Sequence, residues 1–164
     1  MSQPVTIDEA LAAFLRHRTS VVLSAASGSG LPELCTGLAC LVDDDGRGLS
    51  AVVDRRAAEP LVELVAGGCR RVAMVCCRPS TLRTVQVKGD GAFLEPLPAQ
   101  RRAEVLDALS GMHAEFDGIG FGGAYAAALL DHDPGGLVCV RFVPVAVFEQ
   151  TPGPRAGRVL APSP

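Results

Sequence analysis

The chain has 164 residues, of which 48% are apolar and 20% charged, with a formal net charge of −3. That length supports a single domain with a sizeable core, the apolar content excludes a disordered chain, and the mildly acidic balance excludes a polyanion, so no nucleic-acid partner is expected. No basic region followed by an apolar run opens the sequence, and the longest apolar stretches, such as residues 72–77, are too short to span a bilayer. The expectation is a soluble cytoplasmic protein with no membrane partner.

In chain order, Thr6-Ile7-Asp8-Glu9 reads as a capping box with Thr6 as N-cap, and Leu11, Phe14 and Leu15 then share one helical stripe, predicting a short amphipathic helix. Ser20–Ala26 is an apolar, β-branched strand that ends at the turn Ser27-Gly28-Ser29-Gly30. Residues 34–42 form the next strand and pair with Leu49–Asp54 across Asp43-Asp44-Asp45-Gly46. A hairpin tip accounts for these aspartates, and no glutamate follows at the spacing of a calcium loop.

Residues 34–42 are apolar or small on both parities, and residues 72–77 repeat the pattern. A strand covered on both faces inside an antiparallel meander needs a helix, a barrel interior or another subunit as its second cover. The expectation is a barrel with a homodimer packed against its outside. Between these strands, residues 57–66 place Leu61, Leu64 and Val65 on one helical side and stop at Gly67-Gly68.

The strand at residues 83–91 has two unlike faces. Val85, Val87 and Phe93 share one parity with the glycines between them, whereas Thr84, Gln86 and Lys88 share the other. One face is core; the other offers a hydroxyl, an amide and a cation in a row. Pro98 opens a second long helix with Leu106, Leu109, Met112 or His113, and Phe116 at helical spacing. His113 is expected as a buried neutral imidazole, and His17 and His132 as exposed residues.

The run Gly118-Ile119-Gly120-Phe121-Gly122-Gly123 follows a helix rather than a strand, which makes it a connector near the ligand groove, beside Tyr125, and not a dinucleotide loop. Leu137–Glu149 is the last strand, with Pro144 marking a bulge or an edge. Residues 150–164 are an extended Pro/Gly tail of the one domain, 1–164. Cys35, Cys40, Cys76, Cys77 and Cys139 sit in apolar strand runs as small buried hydrophobes, and without a Cys-x-x-Cys pair no zinc site is expected.

Asp54-Arg55-Arg56 leads from a strand directly into a helix, which sets two guanidinium groups beside the free N–H groups of a helix start, a cradle suited to phosphate. The plainer reading is a pair of solvated arginines at a strand end. In a small antiparallel barrel Lys88, on a neighbouring strand, can face the same groove, and several cations around one groove favour a phosphorylated ligand. No Gly-x-Ser-x-Gly elbow occurs, and Ser29 sits on a turn, so a serine hydrolase is not supported.

Residues 23–34 with the Gly-Ser-Gly turn, Arg55-Arg56 before a short helix, Arg71-Val72-Ala73-Met74-Val75, and Thr84-Val85-Gln86-Val87-Lys88-Gly89 together resemble the pyridoxamine 5′-phosphate oxidase-like FMN-binding split barrels. The tail Phe148-Glu149-Gln150-Thr151-Pro152-Gly153-Pro154 resembles the ending of one subgroup. The resemblance implies a mainly β (α+β) fold, a six-stranded antiparallel split β-barrel with flanking helices that forms a homodimer. It further implies that Arg55 and Arg56 approach the FMN phosphate and that Gln86 and Lys88 lie beside the phosphate or the ring. The groove would run between two subunits, with Gln150 and Arg155 completing the partner's site. Where the family often carries a basic residue, this chain has Cys35-Thr36, and Thr36 brings one hydrogen bond and no charge.

The activity implied is that of an FMN-dependent oxidoreductase acting on an unknown small molecule. Pyridoxamine phosphate oxidation itself is not expected, because Arg155-Ala156-Gly157-Arg158 matches poorly the residues that hold a second phosphate. The alternatives are a non-enzymatic barrel holding haem, a deazaflavin or another phosphorylated ligand, and a scaffold that has lost its cofactor.

Overall fold

The computed structural model describes residues 4–26, 28 and 30–161; Ser27 and Ser29 of the expected glycine-rich turn, and the last residues of the tail, lie outside the described residues. Helix α1 (Glu9–Arg16) is capped by Asp8 rather than Thr6: the Asp8 Oδ1 accepts a hydrogen bond from the Leu11 N–H at 2.8 Å. The reason lies upstream. The Val5 N–H donates to Pro144 O at 2.8 Å and the Ile7 N–H to Gly46 O at 2.9 Å, which holds these residues extended and drops both side chains into the core, so the helix starts only after Ile7.

Strands β1 (Ser20–Ala26), β2 (Pro32–Gly37), β3 (Ala39–Val42), β4 (Leu49–Asp54), β5 (Val72–Arg78), β6 (Arg83–Pro96), β7 (Leu137–Glu149) and β8 (Val159–Ala161) build one antiparallel sheet. The order is β2-β1-β5-β6-β7-β4-β3, with β8 on β7. Its two ends are consecutive in the chain. Residues 34–42, expected as one strand, leave β1 at Gly37 and bend at Leu38, whose N–H donates to Val52 O at 2.8 Å; they then pair with β4. That bend curls the sheet into a half-open barrel. It passes so close to β1 that a Cβ on Gly37 would lie 2.7 Å from Val21 Cγ1. The six expected strands become eight because this segment is divided and because the tail folds back as β8 rather than running out extended.

The barrel interior is one core in which Leu23, Val42, Leu49, Met74, Val87 and Phe142 are buried, joined by Leu15 of α1 and by Leu61 of α2 (Glu59–Ala66). A second core lies outside the wall. Helix α3 (Arg102–Gly118), entered from Pro98 through a 3-10 turn at Ala99–Arg101, lays Val105, Leu109, Met112 and Phe116 over Leu41, Val52 and Cys139. Helix α4 (Ala124–Leu129) adds Ala126 to the same core. The second cover of β3 is therefore a helix of the same chain and not another subunit. The stripe of α3 is rotated from the expected one: Leu106 is 65% exposed and His113 is exposed, their places taken by Val105 and Ala108.

Two slips of register shape β6. Its pairing with β7 shifts between Lys88 and Gly89, where Pro144 stands opposite, and again between Asp90 and Phe93. Extra residues in a ladder invert the alternation of faces. Ala92 consequently enters the core, and Phe93, expected inside, is 41% exposed. No helix among the described residues is long and apolar enough to cross a membrane.

Candidate functional site

Directly opposed residues of an antiparallel sheet share a face, so the register assembles the site row by row. Gln86 opposes Val75 on one side and Phe148 on the other; Val75 opposes Val22, and Val22 opposes Thr36. Thr36, Val22, Val75, Gln86 and Phe148 thus form one row across the outside of the barrel. Leu34, Ser24, Ala73, Lys88 and Ala146 form the next. Helix α3 does not reach this part of the wall: Val22 is 38% and Leu34 62% exposed, and Val75 and Phe148 are half-buried. The result is an apolar shelf with polar groups standing on it.

Lys88 leans over that shelf, its Nζ lying 5.2 Å from the centroid of the Phe148 ring, within cation–π range. The Gln86 Oε1 accepts a hydrogen bond from Gln150 Nε2 at 3.5 Å, and the Gln150 N–H donates to Thr84 O at 2.8 Å. Gln150, expected to serve a partner's site, stands beside Gln86 of its own chain. The structure brings Thr36, Gln86 and Lys88 to one face.

Arg55 and Arg56 lie elsewhere. Asp54 pairs with Leu137 at the start of β7, whereas Lys88 pairs with Ala146 near its end. At ~3.3 Å per residue these positions are about 30 Å apart along the strand. Moreover β4 and β6 are not neighbours, since β7 runs between them. The groove that Arg55, Arg56 and Lys88 were expected to share does not form within one chain.

The turn that carries the arginines is organised by Asp54, which is almost fully buried. Its Oδ2 accepts from the Asp133 N–H at 2.7 Å, and its Oδ1 from the N–H groups of Ala57 at 3.1 Å and Arg56 at 2.8 Å. These hydrogen bonds, that from Asp133 foremost, hold its carboxyl below the usual carboxylate value against the opposing effect of burial. The Ala58 N–H donates to Asp54 O at 2.9 Å, and α2 begins only at Glu59. The expected cradle of free N–H groups is therefore filled by the protein's own carboxylate. What the turn offers an anion is two exposed guanidinium groups, which form no ion pair among the described residues.

The histidines and the glycine run belong to other parts of the molecule. His17 Nδ1 lies 3.2 Å from Asp107, and His132 Nδ1 lies 2.8 Å from Leu130 O in a half-buried loop. The Gly118–Gly123 connector joins α3 to α4, where Tyr125 meets Phe116 edge-to-face and Phe121 at a tilt, each with centroids 5.5 Å apart, in the helical layer and not on the face of Gln86 and Lys88.

Sequence reasoning missed the concave end of the outer face. A cavity of about 330 Å³, lined by Ser24, Ala26, Pro32, Arg71, Ala73, Lys88, Asp90 and Val145 among others, opens there. Arg71 shares the parity of Ala73 and Val75, so pairing that strand in register with residues 83–91 is the signal that finds it.

A flat ring bearing a phosphate needs an apolar surface, a hydrogen-bonding edge and a cation. Val22, Val75 and Phe148 supply the first, Gln86 the second and Lys88 the third, while Thr36 adds an uncharged hydroxyl. The residues present fit such a group.

No family model matches the chain, and no curated protein matches it in sequence. Solved structures do match. A candidate pyridoxamine 5′-phosphate oxidase from Lactobacillus delbrueckii aligns at 13% identity over 87% of this chain and 93% of its own, with a TM-score of 0.52. An F420 reductase aligns at 17% identity over 86% and 98%, with a TM-score of 0.50. HupZ from Group A Streptococcus aligns at 11% identity over 93% and 100%, with a TM-score of 0.50. At such identities the likeness carries the fold and nothing finer. The curled antiparallel sheet, its closure at Gly37–Leu38 and these matches together give the chain a split β-barrel fold, similar to that of the candidate pyridoxamine 5′-phosphate oxidase from Lactobacillus delbrueckii.

Proposed function

We propose that the protein is a homodimeric, FMN-binding oxidoreductase acting on a small molecule. The observation that carries this reading is the outer face itself, an exposed apolar shelf with Gln86 and Lys88 placed to meet a polar ring edge and a negative charge. The fold neighbours named for pyridoxamine 5′-phosphate oxidation and F420 reduction are in keeping with it. So are the cysteines, all six of which are free thiols, as suits a reducing cytoplasm.

In this reading a second copy seats its own turn near the shelf, so that Arg55 and Arg56 of one subunit and Gln86 and Lys88 of the other hold one ligand. That arrangement accounts for cations that a single chain keeps apart. Bound FMN would supply the two-electron chemistry. The chain's own residues bind and orient: Lys88 and the two arginines neutralise phosphate, Gln86 donates to or accepts from the ring edge, and Val22, Val75 and Phe148 exclude water from one side of the ring.

The absorption spectrum of the purified protein tests the proposal, followed by titration with FMN, with F420 and with haem. The expected outcome is FMN binding that weakens at least tenfold in Lys88→Ala and in Arg55→Ala/Arg56→Ala, the loss of a charge-assisted contact costing about 1.5–3 kcal/mol. Colourless protein whose melting temperature FMN does not change would sink it. Exclusive binding of F420 or haem would replace FMN with that ligand.

A further inference from the structure

The cavity at the end of the outer face has features that the flavin reading does not use. The register sets Ala73 opposite Lys88 and Val72 opposite Gly89, and Arg71, with the parity of Ala73, stands on the face of Lys88 one row beyond. Both side chains are exposed, both line the cavity, and neither forms an ion pair among the described residues. The only carboxylate among the lining residues is that of Asp90, whose Oδ1 accepts the Gly91 N–H at 2.8 Å. Two cations against one engaged carboxylate leave the cavity positive.

Apart from Ser24, whose hydroxyl donates to Ala73 O at 3.2 Å, its walls are otherwise apolar, formed by Ala25, Pro32, Ala73 and Val145, and Gly89 contributes no side chain. At about 330 Å³ it lies at the small end of ligand sites, roughly 300–1,000 Å³, which suits a compact molecule. Arg70 supplies the contrast: one residue earlier, its Nη1 donates to Ala92 O at 3.1 Å, so its charge is engaged by the chain's own backbone.

We propose that this cavity is an anion-binding subsite in which Arg71, together with Lys88, receives the phosphate or carboxylate of a small ligand with an apolar body. Lys88 stands between the two regions, with the Phe148 ring on the shelf side and Arg71 on the cavity side. The subsite therefore adjoins the proposed flavin shelf without depending on it. The acidic group could belong to a substrate or to the cofactor, and the two sources separate experimentally.

Calorimetric titration of the full-length protein with phenyl phosphate, with phenol as its neutral counterpart, tests the assignment. Phenyl phosphate is expected to bind and phenol not to bind. Affinity is expected to fall about tenfold in Arg71→Gln and with raised salt, to recover in part in Arg71→Lys, and to be unchanged in Arg70→Gln. Phenyl phosphate that still binds after saturation with FMN assigns the subsite to a substrate; competition assigns it to the acidic group of the cofactor. If FMN does not bind while phenyl phosphate binding still depends on Arg71, the flavin reading falls and the subsite stands. Absence of phenyl phosphate binding to the wild type, or equal loss in the Arg70 and Arg71 variants, overturns it.

Discussion

A methyl group at Gly89 would overlap the ring of Phe142, which is 1% exposed in the barrel interior and has nowhere to move. Overpacking of this kind costs about 1–3 kcal/mol. Gly89→Ala is therefore expected to lower the midpoint of denaturant unfolding by that amount, and Phe142→Leu in the same chain to restore part of it; an unchanged midpoint would refute the packing role. The glycine of the Val-Gln-Val-Lys-Gly strand was legible in the sequence, but its reason was not, because the ring it accommodates comes from a distant strand. Gln86 and Lys88 were legible for the opposite reason, since parity along one strand is a local property. Phe93 shows where parity stops, at a bulge that only pairing with β7 reveals.

Among the elements, the β4–α2 turn depends most on a single side chain. Asp54 ties it to the loop before β7 through the Asp133 N–H and closes the turn on itself through the N–H groups of Arg56 and Ala57. Because its folded pKa lies below the ordinary value of 3.8, its contribution is fully present above that value and disappears as pH falls through the lowered one. Asp54→Asn keeps an acceptor but turns an N–H towards one of these donors, so a loss of about 1–3 kcal/mol is expected near neutral pH. That difference from the wild type is expected to shrink below pH ~4. Denaturant unfolding of both proteins across this range measures it, and a gap independent of pH would argue against the ionised carboxylate as its source. Helix α3 teaches a related lesson: its existence followed from a 3.6-residue spacing, but Val105 rather than Leu106 faces the barrel, because the wall selects the stripe.

At the scale of the whole molecule, the apolar outer face of β2, β1 and β5 is what a second copy is proposed to cover. Val75 lies in the middle of this face, between Val22 and Gln86. A charge there would be desolvated in a dimer and harmless in a monomer. Light scattering is expected to give a dimer for the wild type and a monomer for Val75→Arg, with FMN binding lost and the circular dichroism unchanged. A wild type that stays monomeric at high concentration would refute the dimer, and with it the route that joins Arg55 and Arg56 to Lys88.

The sequence by itself determined that an antiparallel meander would form, where helices α1, α2 and α3, though not α4, and most of its strands lie, and which side of residues 83–91 would be polar. These follow from periods of two and 3.6 residues, which nearby side chains impose. Only the tertiary structure decided that residues 34–42 divide at Leu38 to close the barrel, that α3 supplies the second cover of β3, and that Arg55 and Arg56 stand far from Lys88 while Arg71 stands beside it. These depend on which strands pair and in what register, and that is settled by contacts between residues remote in the chain.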